Sequence, residues 1–173
     1  MGKENTVVGP IYRDNTLNIW DAIDKGNVPA LKFWLAKNPK NLKKTKKLDY
    51  FSLPPLHYAA FTDQLEIVKY LLSQGLNIDS LAFNNTTPLW WAVNLRSPSM
   101  INYLLDNGAN INHRSEDNWT ALHFAANVSD LPVTKLLVKR GADKSIKTSE
   151  NKTALDLAEE MDFYSIIHCL SSC

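Results

Sequence analysis

Leu56, Leu89, Leu122 and Leu155 stand 33 residues apart, as do Ala59, Ala92, Ala125 and Ala158, and as do Gly75, Gly108 and Gly141. A unit this short cannot bury its apolar face alone, so copies of it must stack, each layer covering the next, with polar outer faces at the two ends. Inside each unit lie two stretches, such as Leu56-His57-Tyr58-Ala59-Ala60 and Leu65 to Leu72, whose apolar residues recur at three and four positions. That spacing is helical, and the unit is a helix pair.

The ends of these helices are marked. Thr87-Pro88, Thr120-Ala121 and Thr153-Ala154 open the first helix, where a Thr oxygen can accept from free backbone N–H groups and Pro tolerates the first position. Pro29, Pro98 and Pro132 open the second helix just after Asn27, Ser97 and Asp130, three candidate caps. The glycine column supplies a left-handed residue that ends the second helix. Alanines in register let neighbouring first helices approach closely, and the Leu71-Leu72 and Leu104-Leu105 pairs fill the space between layers.

These residues resemble the ankyrin repeat family. Its Thr-Pro-Leu-His-x-Ala signature reads here as Thr120-Ala-Leu-His123-Phe-Ala125 and Thr87-Pro-Leu-Trp90-Trp-Ala92, and its closing segment as Gly108-Ala-Asn-Ile-Asn112 and Gly141-Ala-Asp143. The resemblance implies an all-α solenoid of about five helix-turn-helix units with β-hairpin-like tips, stable without metal or disulfide. The expected units are an extension over 1–16, a capping repeat with a Lys-rich loop over 17–48, full repeats over 49–81, 82–114 and 115–147, and a closing cap over 148–173. The first unit aligns only with a shift of 37, Ala22 on Ala59, so four residues are inserted after its second helix. Ser52-Leu53-Pro54-Pro55 lacks the Thr cap, Trp90 replaces the usual His, and Asp63, Arg96 and Ser129 stand where the family prefers Gly. A less regular turn between helices is expected there.

Chemistry is sparse. With 19 Lys and Arg against 18 Asp and Glu in 173 residues, 45% hydrophobic, the chain is a near-neutral foldable domain, neither a polyelectrolyte nor a disordered segment. No phosphate loop, His-Glu-x-x-His or nucleophile motif is present, so no catalytic residue, metal ligand or cofactor is expected. His57 and His123 occupy the family's structural His position, and Glu159, Glu160 and Asp162 suit a solvated end cap. Cys169 and Cys173 are too few for a disulfide framework, and the absence of a long apolar window or a secretory leader points to the cytosol or nucleus.

The family's usual contact surface is concave, made by the tips and the exposed positions of each first helix. Carried over, it takes in Tyr50, Phe51, Leu53 and Phe61, then Phe83, Trp91, Asn94 and Leu95, then Glu116, Asp117, Trp119 and Asn127. Tips that face only water are polar, so this register of rings suggests either a docking strip for a protein or peptide, with an acidic edge, or rings folded back over irregular turns near Pro54 and Asn84-Asn85. Lys40, Lys43, Lys44, Lys46 and Lys47 make a basic patch in the inserted loop, readable as a solvated loop, an import signal or an anionic-surface contact. Nucleic acid is disfavoured, since neither aromatic residues nor Arg interleave with these lysines. Met1-Gly2-Lys3-Glu4-Asn5-Thr6 fits an N-myristoylation pattern at Gly2, which with the lysines would form a two-signal membrane anchor. Asn112 resembles the asparagine that ankyrin repeats present to asparaginyl hydroxylases. The expected protein is a monomeric interaction module, free-standing or the ankyrin portion of a larger enzyme such as a kinase or membrane acyltransferase.

Overall fold

The computed structural model describes residues 18–43, 45–48 and 52–172. Among the described residues ten α-helices form five pairs: α1 (Ile19–Asp24) with α2 (Val28–Lys37), α3 (Pro55–Phe61) with α4 (Leu65–Ser73), α5 (Pro88–Asn94) with α6 (Pro98–Asp106), α7 (Ala121–Asn127) with α8 (Leu131–Lys139), and α9 (Ala154–Glu160) with α10 (Tyr164–Ser171). The first helices stack in the order α1, α3, α5, α7, α9, and second helices pack beside them, α2 on α4 and α8 on α10. This is the all-α solenoid that the 33-residue register requires. Ala22, Ala59, Ala92, Ala125 and Ala158 are all buried along the first-helix stack. Leu31, Leu71, Leu104 and Leu137 fill the core from the second helices, while Leu72 and Leu105 are only half-buried.

Most of the expected caps form. Asn27, Ser97 and Asp130 accept from the N–H groups of Ala30, Met100 and Val133 at 3.0, 3.3 and 3.1 Å. Thr120 and Thr153 enter reciprocal caps with His123 and Asp156. Thr87 makes no side-chain cap bond, contrary to the sequence expectation. Pro88 at the first helical position there carries no N–H and presets the backbone, which lessens the need for a cap.

The turn between helices is also more regular than expected. Gly26, Asp63, Arg96, Ser129 and Asp162 all adopt φ between 55° and 61°. Side chains compensate for the left-handed strain of about 1 kcal/mol or more at the non-glycine positions. Ser97 Oγ donates to Asp63 Oδ1 at 2.6 Å, and Arg96 Nε lies 3.1 Å from Asp130 Oδ2, so successive turns are tied together.

Each of three tips closes with one bond, from the N–H of Ala82, Ser115 or Thr148 to the carbonyl of Thr86, Trp119 or Lys152, at 2.9 Å in every case. Neighbouring tips are pinned by Glu116 N–H to Asn84 O (3.1 Å) and Ser149 N–H to Asp117 O (3.0 Å). The Lys-rich segment is not simply a solvated loop. It forms a 3₁₀ turn (Pro39–Lys43) and a strand β1 (Lys46–Lys47) antiparallel to β2 (Ser52–Leu53), with Asn41 buried and donating to Trp34 O at 3.2 Å.

Candidate functional site: an aromatic cavity beside the tips

The site originates in one column of the repeat. In α3, His57 Nε2 lies 2.8 Å from Ser80 O, and in α7, His123 Nε2 lies 3.0 Å from Ile146 O, 23 residues downstream in both cases. Each ring N–H donates to the carbonyl of the loop leaving its own unit. Burial drives His57 down to about 4, so its imidazole is neutral at ordinary pH, and burial lowers His123 as well. Thr120 N–H donates to His123 Nδ1 at 3.1 Å, which completes a fully engaged structural ring.

Trp90 holds the same place in α5, where its indole packs against other rings instead. The bond is made in the opposite sense: His113, in register with Ser80 and Ile146, places its own Nε2 2.8 Å from Asn85 O. Released from that duty, the Trp90 ring lies 4.8 Å from Phe124 and 5.0 Å from Trp91, centroid to centroid, inclined 74° to the latter. Phe61 stands edge-on to Trp91 at 5.5 Å and 85°. Trp91 is 5% exposed, and its Nε1–H donates to Thr86 Oγ1 at 3.0 Å while that hydroxyl donates to Phe83 O at 2.7 Å.

The result is an open cavity of about 510 Å³ whose walls include Phe61, Phe83, Trp90, Trp91 and Trp119, with Asn84, Asn94, Ser115 and Asp117 as polar groups. A second hollow of about 340 Å³ continues from it, sharing Asp117 and Trp119 and adding Thr148, Ser149 and Glu150. The two together run along the tips of three successive units.

The family model for ankyrin repeats (3 copies) matches residues 19–115, and that for ankyrin repeats (many copies) matches residues 104–158. The chain belongs to the ankyrin repeat family. Among curated proteins, none is similar enough to match it. Ankyrin repeats are generally protein–protein interaction modules and are typically not enzymatic.

Within this ankyrin stack, Phe61, Phe83, Trp91, Asn94, Asp117 and Trp119, all expected from sequence at the contact surface, line the one cavity. Glu116 is exposed on the tip beside Asp117, whereas Leu95 (exposed) and Asn127 (half-buried) lie outside its lining. Leu53 is a correction: it is 0% exposed, because β2 turns it into the core, so it offers nothing to a partner. Tyr50 and Phe51 lie outside the described residues, as do Gly2 and Lys44. In the sequence Trp90 stands out only as a replacement of the usual His, and Ser115 not at all, yet both line the cavity. The departure of Trp90 from the ankyrin histidine was the available signal.

Of the basic patch, Lys40, Lys43 and Lys47 are exposed, but Lys46 is engaged, 3.7 Å from Asp24 Oδ2 and 5.3 Å above the Tyr58 ring. Asn112 is half-buried, and its side-chain oxygen accepts from Asp143 N–H at 2.9 Å, as Asp79 does from Asn110 N–H at 3.0 Å. These two bonds place Asn112 in a ladder that ties successive units. Among the described residues no three His, Cys, Asp or Glu side chains are grouped to hold a metal, and no helix is long and apolar enough to cross a membrane.

Proposed function

We propose that this ankyrin module recognises an extended segment of another protein in the aromatic cavity beside its tips. The observation that carries the reading is the convergence of five aromatic rings on one open cavity, on a surface where residues facing only water would be polar. Phe83 remains 47% exposed there and Trp119 half-exposed, so both rings have apolar surface to bury against a partner. Trp91 and Phe61 brace the wall from behind. The polar groups supply orientation, as in other largely apolar binding sites. The module works as an adaptor or as the targeting portion of a larger chain, in the cytosol or nucleus.

Affinity capture from a cell extract tests this, with the wild type beside a Phe83→Ala, Trp119→Ala double variant, read by mass spectrometry. A captured partner should vanish with the double variant while its melting temperature stays within a few degrees of wild type. Capture of the same partners by both proteins contradicts the groove.

A second reading, a peripheral membrane adaptor, is favoured by the exposure of Lys40, Lys43 and Lys47 along one segment. It predicts a myristoyl mass increment on the protein expressed in eukaryotic cells and release from membranes in Gly2→Ala. Unchanged membrane association of that variant contradicts it.

A further inference from the structure

The cavity has a chemistry of its own beyond being apolar. Trp90, Trp91 and Phe61 are set at steep mutual angles, 74° and 85°, so they form walls rather than a flat floor. Ring faces carry negative quadrupole density, and walls of this kind attract a desolvated cation. The indole N–H of Trp91 is already spent on Thr86, which leaves Trp91 as a ring without a free donor.

The polar groups have the same bias. Asp117 is exposed at the junction of the two hollows, with Glu116 next to it and Glu150 lining the second hollow. Among the described residues neither Glu116 nor Asp117 forms an ion pair. Lys152 is bound to Glu150 at 3.1 Å and Glu160 at 2.8 Å, while the exposed Arg114 and Lys147 flank the rim in sequence. A carboxylate in an aromatic enclosure, with Asn94 and Ser115 offering further oxygen acceptors, matches a flat cation with several donors. A guanidinium has five N–H groups in a rigid fork, stacks on indole faces and is weakly hydrated, whereas a fully methylated ammonium would leave every acceptor unmatched.

We infer that the cavity's occupant is an arginine side chain of the partner segment, stacked between Trp90 and Trp119 and paired with the Asp117 carboxylate. This rests on the proposed function, since it names what fills the same groove. The rest of the segment runs over the second hollow, and added salt weakens the pairing of the arginine with Asp117.

The test is selection of a random dodecapeptide display library on the full chain, followed by titration of the tightest peptide by tryptophan fluorescence and calorimetry. Selected peptides should share an arginine. Replacing that arginine by citrulline, or Asp117→Asn in the protein, should each weaken binding about tenfold or more, and trimethyllysine in its place should bind more weakly than arginine. Peptides that lose binding in Trp119→Ala but contain no required arginine overturn this inference and leave the groove standing. A peptide that binds as tightly with trimethyllysine also overturns it. If binding of every selected peptide survives Trp119→Ala, the groove itself fails and the inference with it.

Discussion

The third unit and its two neighbours share the helix pair and differ at the histidine place of the signature. In α3 and α7 a buried imidazole reaches a carbonyl 23 residues on, and its N–H is consumed by the fold. In α5 that place belongs to Trp90, the bond is remade from His113, and an indole is freed to line an open cavity. The turn between helices does not register the change, since Arg96 holds the same left-handed conformation as Asp63 and Ser129, while the tip of the third unit carries one additional left-handed residue, Asn84, beside Asn85. In a repeat protein the backbone columns carry the architecture, and a position that breaks its column without disturbing them is where binding chemistry can be placed.

His57 titrates at about 4 when folded against its usual 6.5, because burial opposes its charge. Above pH 6.5 both states are neutral; below it the unfolded chain takes up a proton that the folded chain refuses until about pH 4. Stability should therefore fall by about 3 kcal/mol as pH drops from 6.5 to 4, with His123 acting in the same direction. Urea midpoints across that range check it, and His57→Gln should flatten the slope. A wild-type profile that stays flat between pH 6.5 and 4 would mean that the ring is not buried as described.

The caps offer the next contrast. Thr120→Ala should cost about 1–2 kcal/mol, since it removes both the oxygen that caps α7 and the partner of His123. Thr87→Ala should cost less, because its side chain caps nothing, and equal losses in thermal melts would argue against that difference. His113→Ala, which deletes the substitute link to Asn85, should cost about 1 kcal/mol; no loss at all would show that the reversed bond is unimportant. Smallest of all, Ser129→Gly should stabilise by about 0.5 kcal/mol through relief of its φ of 55°, measurable as a small rise in melting temperature.

Much of this architecture was readable in advance, since period, caps and glycine columns are local signals repeated several times. What escaped reading was cooperative between units. Asp63, Arg96 and Ser129 looked like defects in a glycine position, but their side chains, or those next to them, tie one turn to the next, and a single unit does not contain that information. Asn85, Asn118 and Asn151 form a further left-handed column at the tips, with φ of 55°, 58° and 62°, that was visible as a period of 33 and passed over. At the cavity, Phe61, Phe83 and Trp119 could be placed by register, whereas Leu53 could not be excluded until β2 was seen to turn it inward. Trp90 stood out as a departure from the signature, but its consequence depended on His113, 23 residues away, changing roles with it.

Trp90, standing in the place of a structural histidine, makes the proposed binding cavity. Trp90→His restores the column and tests it directly, with melting temperature and affinity for a library-selected, Trp119-dependent peptide measured on the same sample. A melting temperature within a few degrees of wild type and an affinity reduced at least tenfold are expected. Unchanged affinity in a folded Trp90→His protein would contradict it.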